Sequence, residues 1–558
     1  MTIDLVTIDA SPAGSVSAPT SRMSVADLLV RTLACNGVTS VFGNPGTTEI
    51  PLVRACEGLA NPKYVVALSE IAAVPMTDGF ARTTRSLGVV NLHVAPGLGN
   101  GMGGLYTAGI AHTPLLVIIG SQDRRFLYTN PVLWGPIEGM AATVMKAVVT
   151  LNGLHDAAFN IYRAIRTALT PPYGPVALIC PPDLLEEELE AAPGLVHAPA
   201  LASLSAVHAE RYARLLADAR APAFIVAEDA YWDGASEAVE QLAGLLGAPI
   251  HVAPYTAVLP ISSRSAFYAG YLPPGRKKIA DQLAERDLLF FIGGTGMRTT
   301  LYSEGDLPQT KLWVGNDPTV LASGGEFVLA TIANIRGALA EIVRVMRPHS
   351  SGGPAIAGSP RPQFSPPPYE VGLFHPSRAV KALLERFSDA VWFDESGLST
   401  TDVRQWMQLP AGDYLINGSG GIGWALAAAV GAALGNPERQ IVAIVGDGSV
   451  LYASEALWTA AHHGTRMLLV ILSNRRYATL NEASKLLNGG PLNSFTIEPP
   501  ILDFGGLATL HSWHYTRVAS EDELRVFLAS TPDRIKTNTL LELKLDPAVK
   551  PVTANSHF

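Results

Sequence analysis

The chain of 558 residues is short of cysteine, of charge and of long apolar runs. Its three cysteines, Cys35, Cys56 and Cys180, have neither metal-ligand nor redox spacing, so they read as reduced thiols rather than a disulfide framework. Charged residues make up 16% of the chain, against roughly 25% in an average soluble domain. That shortage suggests surface given over to contacts between subunits. No basic run exceeds the triplet Arg276-Lys277-Lys278 and the net charge is −9, so a nucleic-acid footprint is excluded. The apolar runs Leu115–Ile119, Val442–Val445 and Met467–Leu472 fall far short of the ~20 residues of a membrane-spanning helix and read as buried strands. Asp4 and Asp9 stand where a secretory signal would carry basic residues, so a cytoplasmic location is expected.

What is plentiful is apolar side chain, at 48%, together with 51 glycines and 41 prolines, which excludes disorder for most of the chain. Short β-branched runs punctuated by Gly or Pro alternate with helix-length segments: Gly37–Gly43, Tyr64–Leu68, Gly88–Leu92, Leu115–Gly120 and Val176–Cys180. Ser24 is the expected cap of a first helix, Val25–Cys35. The rhythm resumes with Ala223–Val226, Ile250–Ala253, Leu288–Ile292 and Leu312–Val314, and again with Ala390–Phe393, Ile441–Val445, Leu468–Leu472 and Thr539–Lys544. This is the sequence form of parallel α/β layers. The expected organisation is a flexible leader 1–21, α/β domains at 22–200, 201–348 and 370–548, a Pro/Gly/Ser-rich linker 349–369 and a tail 549–558.

The chemistry is carried by Gly446-Asp447-Gly448-Ser449, which ends an apolar strand, and by Asn474, which follows a second apolar strand, Met467–Leu472. Flanking glycines let the backbone turn sharply and approach an anion, and a helix expected at Ala453–His463 adds its N-terminus. The Asp447 carboxylate and the Asn474 amide oxygen, with the Arg476 carbonyl as a third donor, suit Mg²⁺ or Ca²⁺, which take oxygen ligands and accept phosphates. Taken alone, the Gly-Asp-Gly turn is commonplace; the Asn at this spacing gives it context. Two stretches, Gly99-x-Gly101-x-x-Gly104 and Gly418-x-Gly420-x-x-Gly423, match a dinucleotide fingerprint, but the first does not leave a strand directly, and a dehydrogenase is not favoured.

The Gly-Asp-Gly…Asn pattern resembles the thiamin-diphosphate signature. From Ser24 to Ala548 the chain is similar to thiamin-diphosphate-dependent decarboxylases, above all the benzoylformate decarboxylases. The resemblance lies in Val41–Glu49, Asn91–Asn100, Ser419–Trp424, Gly446–Ser449 and Ala456–Ala461. It implies pyrimidine-binding, central and diphosphate-binding α/β domains, and an active site shared between copies in a dimer or tetramer, Glu70 of one facing Asp447 of another. Glu70, after a strand and opening an apolar helix, takes the place of the carboxylate beside the aminopyrimidine; read by itself it would be a first-turn Glu meeting the helix dipole. Gly420 is implied to offer a carbonyl and Ile422 an aliphatic wedge to the cofactor; Gly446, Gly448, Ser449, Tyr452, Tyr477, Ser399 and Thr400 are implied to surround its diphosphate. Thr47 and His93 match positions that bind and protonate substrate.

Departures bear on the substrate. Thr300 stands where the family has a second histidine, and Ile416 and Ala483 where it has phenylalanines, while Leu480 keeps an apolar wall. The implied reaction is non-oxidative decarboxylation of an aryl or bulky 2-oxo acid to an aldehyde. The alternatives are a carboligase or lyase of the same cofactor class, acting on 2-hydroxy ketones or forming acetohydroxy acids, and a relative that binds the cofactor without catalysis. The central domain carries no specific flavin signature, which leaves FAD binding open.

Overall fold

The computed structural model describes residues 20–294, 297–300, 304–322, 326–347, 365–370 and 373–551. Nearly all of the expected leader, most of the expected linker and residues 552–558 lie outside these. The architecture is α/β with three parallel six-stranded sheets. In spatial order the first runs Lys63–Val66, Ser40–Gly43, Gly88–Leu92, Leu115–Gly120, Pro175–Cys180 and Ala147–Thr150. The second runs Tyr268–Tyr271, Ile250–Val252, Pro222–Val226, Leu288–Ile292, Thr310–Gly315 and Leu329–Ile332. The third runs Tyr414–Leu415, Val391–Glu395, Ile441–Gly446, Met467–Ser473, Thr539–Lys544 and His514–Val518. A small antiparallel pair, Ser21–Ser24 with Glu188–Ala191, brings together two segments far apart in the chain.

The central strands are continuous apolar runs because helices cover both of their faces. All six residues of Leu115–Gly120 are buried, and each large aliphatic side chain so removed from water contributes about 1.5–3 kcal/mol. Two compact units result. One comprises 1–199 with Ala427–Asn436 and Ala453–His463; the other comprises Ala200–Leu426, Pro437–Tyr452 and the chain from Gly464 onward. In the first unit the helix Glu70–Thr84 is capped by Ser69, whose hydroxyl accepts from Ile71 N at 3.1 Å. Its Gly79 meets the backbone of Ala428, and Met76 meets Gly431, so two helix backbones touch where no Cβ would fit. In the second unit one apolar core runs on from the second sheet into the third, with Phe224, Phe290, Trp392 and Val442 among its members.

Two sequence expectations shift. The helix expected at Ala453–His463 starts at Ala456; ahead of it Asp447–Val450 form their own helical turn, so the backbone N–H groups at the strand end come from the Gly-Asp-Gly segment itself. The Gly99–Gly104 fingerprint lies inside the helix Val94–Ile110 and makes no strand-to-helix phosphate turn. Among the described residues no helix is long and apolar enough to cross a membrane.

Candidate active site

Parallel strands deliver their functional residues to one edge, the carboxyl ends, and each unit gathers a group there. In the first unit Gly43 pairs with both Val66 and Asn91, and Leu92 with Ile119, so Asn44, Glu70 and His93 leave neighbouring strand ends. Glu70 is 4% exposed. Its carboxylate accepts from the amides of Asn44 at 3.5 Å and Asn100 at 3.2 Å. Gly97 makes room for it: a Cβ there would lie 2.8 Å from Glu70 Oε1.

His93 caps the helix Val94–Ile110. Its Nδ1 lies 2.7 Å from Glu49 Oε2, and Glu49 is buried over Gly120. Glu49 Oε2 also accepts from Gly46 N at 2.8 Å, and Oε1 from Thr48 Oγ1 at 2.6 Å. A carboxylate against Nδ1 favours the tautomer that carries its proton there. The next residue, Val94, is β-branched yet has φ +41°, a left-handed conformation that such residues adopt only where their surroundings enforce it. Thr47 is exposed at the start of the turn Thr47–Glu49.

In the second unit a cavity of about 740 Å³ opens at the carboxyl edge of the third sheet. It collects every sequence-predicted cofactor, metal and substrate-pocket residue: Ser399, Thr400, Gly420, Ile422, Gly446, Asp447, Gly448, Ser449, Tyr452, Asn474, Arg476 and Tyr477, with Thr300, Ile416, Leu480 and Ala483. Gly446 pairs with Leu472, so Asp447 and Asn474 project one and two residues beyond the same register position. Asp447 is buried and accepts from Gly448 N at 2.8 Å and Arg475 N at 2.5 Å. Burial raises its pKa to about 6 despite those hydrogen bonds. Asn474 Oδ1 accepts from Arg476 N at 3.1 Å, which curls the chain so that Arg475 takes φ +62°. Among the described residues no cluster of three or more His, Cys, Asp or Glu could hold a metal. The candidate donor set is one carboxylate, one amide and one carbonyl, a set suited to a hard cation that completes its shell with phosphate and water.

The loop over the cavity is held by side chains that sequence reasoning did not single out. Asn417 Oδ1 accepts from Ser419 N at 3.1 Å and Gly420 N at 3.0 Å, while its amide donates to Gly421 O. Gly420 has φ +82° and open space where a side chain would sit. Glu395 Oε1 accepts from Gly423 N at 2.5 Å, and its Oε2 accepts from Trp424 N and Ala425 N at 2.9 Å each. Burial raises the pKa of Glu395, opposed by those amide N–H groups and the Ser449 hydroxyl. Ile422 and Leu480 are apolar yet more than two-fifths exposed, as expected of side chains facing a cavity. Thr400 Oγ1 donates to Asp394 Oδ1 at 3.2 Å. A buried carboxylate without an ion-pair partner among the described residues, beside amide-rich glycine turns in a roomy cavity, fits a cation-bound diphosphate.

Three family models cover the chain in order: the thiamine pyrophosphate enzyme N-terminal binding domain at residues 23–138, the central domain at 209–342 and the C-terminal binding domain at 395–534. Benzoylformate decarboxylase of Pseudomonas aeruginosa is 31% identical over 505 residues, 88% of this chain and 93% of that protein. The chain belongs to the thiamine pyrophosphate enzyme family. A structure of the thiamine diphosphate-dependent 4-hydroxybenzoylformate decarboxylase of Rhodococcus jostii RHA1 matches with a TM-score of 0.85 at 30% identity, covering 94% of this chain and 99% of that one. The acetolactate synthase large subunit of Haemophilus influenzae is 23% identical, covering 90% of this chain and 91% of that protein. This thiamine pyrophosphate enzyme is thus related to benzoylformate decarboxylases along almost its whole length.

Proposed function

We propose that the enzyme decarboxylates an aryl or bulky 2-oxo acid, of the benzoylformate kind, to an aldehyde and CO₂. The observation that carries the reading is the buried Glu70 carboxylate, held by two amides on a glycine-cleared strand edge. Asp447, Asn474 and the Arg476 carbonyl would hold Mg²⁺ or Ca²⁺. Ser399, Thr400, Ser449, Tyr452, Tyr477 and the turn Gly446–Gly448 would surround the diphosphate. Bound thiamin diphosphate supplies a carbon nucleophile and a sink for the negative charge left when CO₂ departs.

Each side chain has a task set by its surroundings. Glu70 holds or releases a proton from Oε1 or Oε2 in a site largely closed to water. His93, with Nδ1 committed to Glu49, moves a proton at Nε2, and Thr47 donates a hydroxyl hydrogen bond to the substrate carboxylate. Gly420 offers its carbonyl to the cofactor, and Ile422 wedges against it. Ile416, Leu480 and Ala483 make an apolar wall that favours a bulky substituent, and Thr300 adds a hydroxyl. Copies of the chain are proposed to join as a dimer or tetramer, Glu70 of one serving the cavity of another, in a cytoplasmic enzyme.

A panel of 2-oxo acids, assayed for CO₂ and aldehyde with thiamin diphosphate and Mg²⁺, tests the reading. No CO₂ from any member overturns it. Carboligation is the second reading, supported by Thr300: a hydroxyl is a poorer proton shuttle than an imidazole, so proton delivery would be slower and a second aldehyde could compete with it. Ligated products from pyruvate or benzaldehyde would favour it.

A further inference from the structure

We propose that Tyr255 selects the organic group of the substrate, its ring forming one wall for a flat aryl substituent; this rests on the 2-oxo-acid reading above. Among the described residues, three aromatic side chains line the cavity: Tyr255, Tyr452 and Tyr477. Two of them are committed to the glycine turns. The Tyr477 ring covers Gly448, where a Cβ would lie 2.6 Å from it, and Tyr452 covers Gly423. Tyr255 comes from a different element, the segment after the strand Ile250–Val252. That segment runs beside the apolar wall, since Ile416 N donates to Ala257 O at 3.0 Å.

Tyr255 is held there under strain. Its φ of +57° is left-handed, an outlier for a bulky residue that persists only when its surroundings impose it, and such outliers gather at ligand clamps. Two neighbours impose it. Arg298 Nη1 donates to Tyr255 O at 3.5 Å while its Nη2 pairs with the buried Glu228 at 2.7 Å. Gly418 leaves room for the same carbonyl, since a Cβ there would lie 3.1 Å from it. The Tyr255 hydroxyl has no hydrogen-bond partner among the described residues. A half-buried tyrosine, fixed at its backbone and lining the cavity together with the aliphatic Ile416 and Leu480, offers the offset or edge-on contact that an aryl group takes and an alkyl group does not.

The test is calorimetric binding of mandelate and lactate to the cofactor-loaded enzyme. Both are 2-hydroxy acids without a ketone, so neither is decarboxylated, and they differ in phenyl against methyl. The wild type is expected to prefer mandelate by about tenfold or more, and Tyr255→Phe to keep that preference within about twofold. Tyr255→Asn suits the left-handed backbone and deletes the ring; it is expected to lose most of the preference at an unchanged unfolding midpoint. Tyr255→Leu repeats the deletion should the Asn variant fold poorly. A preference that is missing in the wild type, intact in the ring-deleted variants, or lost equally in Tyr255→Phe overturns the assignment. Failure of the decarboxylase reading shows separately, as no CO₂ from any 2-oxo acid.

Discussion

At the scale of single residues, two carboxylates are set apart by their surroundings. Glu70 is fixed by amide donors, so Glu70→Gln removes its proton chemistry while keeping its shape. Turnover is expected to fall by roughly 10²–10⁴-fold, with the unfolding midpoint little changed. Near-normal activity would refute the assignment. Asp447 is held by burial with a pKa of about 6, above the ordinary carboxylate value. A raised pKa means that the cation-free folded state binds a proton more tightly than the unfolded chain does. The stability this brings is complete below about pH 4 and is lost as pH rises through about 6. Relative to Asp447→Asn, the cation-free wild type should therefore lose roughly 2–2.5 kcal/mol between pH 4 and pH 7, a difference that denaturant titration resolves. Added Mg²⁺ with thiamin diphosphate should restore the wild type alone.

At the scale of elements, glycines decide how closely helices and side chains approach. Gly97→Ala would put a methyl group 2.8 Å from Glu70 Oε1, and kcat should fall by about tenfold or more through misplacement of that carboxylate. Gly431→Ala would drive a methyl into Met76 O, at a cost of about 1–3 kcal/mol measured as a lowered midpoint. Elements also show what was legible beforehand. The strands buried on both faces were readable as apolar runs; Gly88–Leu92, Leu288–Ile292 and Thr539–Lys544 match residue for residue. The strands that sequence reasoning missed within the three sheets are Ala147–Thr150, Tyr268–Tyr271, Leu329–Ile332, Tyr414–Leu415 and His514–Val518, and all are edges. An edge strand pairs on one side only and needs no continuous apolar signal. Asp447 and Asn474 were legible because strands announce their own ends. Glu49, Asn44, Asn100, Glu395 and Asn417 were not, since each acts through a partner brought near only by folding. The hint lay in acidic residues beside glycine turns, at Gly46–Glu49 and Glu395–Gly397.

At the scale of the whole molecule, low charge and exposed apolar side chains such as Tyr128, Val132 and Trp134 agree with the proposed self-association. Sharing of sites between copies can be read by complementation. Mixed after joint refolding, Glu70→Gln and Asp447→Asn should regain activity, with about a quarter of the sites intact for random pairing in a two-fold dimer. No recovery would show that each chain serves itself. The make-up of the first compact unit has a consequence in time. Its helix Glu70–Thr84 packs against Gly431, and Ala453–His463 belong to the same unit, although both segments are translated only after the intervening Ala200–Leu426 of the other unit. A ribosome adding ~5–20 residues per second leaves that N-terminal segment waiting for tens of seconds, its apolar helix face uncovered. Synthesis of this protein should therefore lean on chaperones that hold nascent chains, and a fragment ending at Pro199 should aggregate rather than fold.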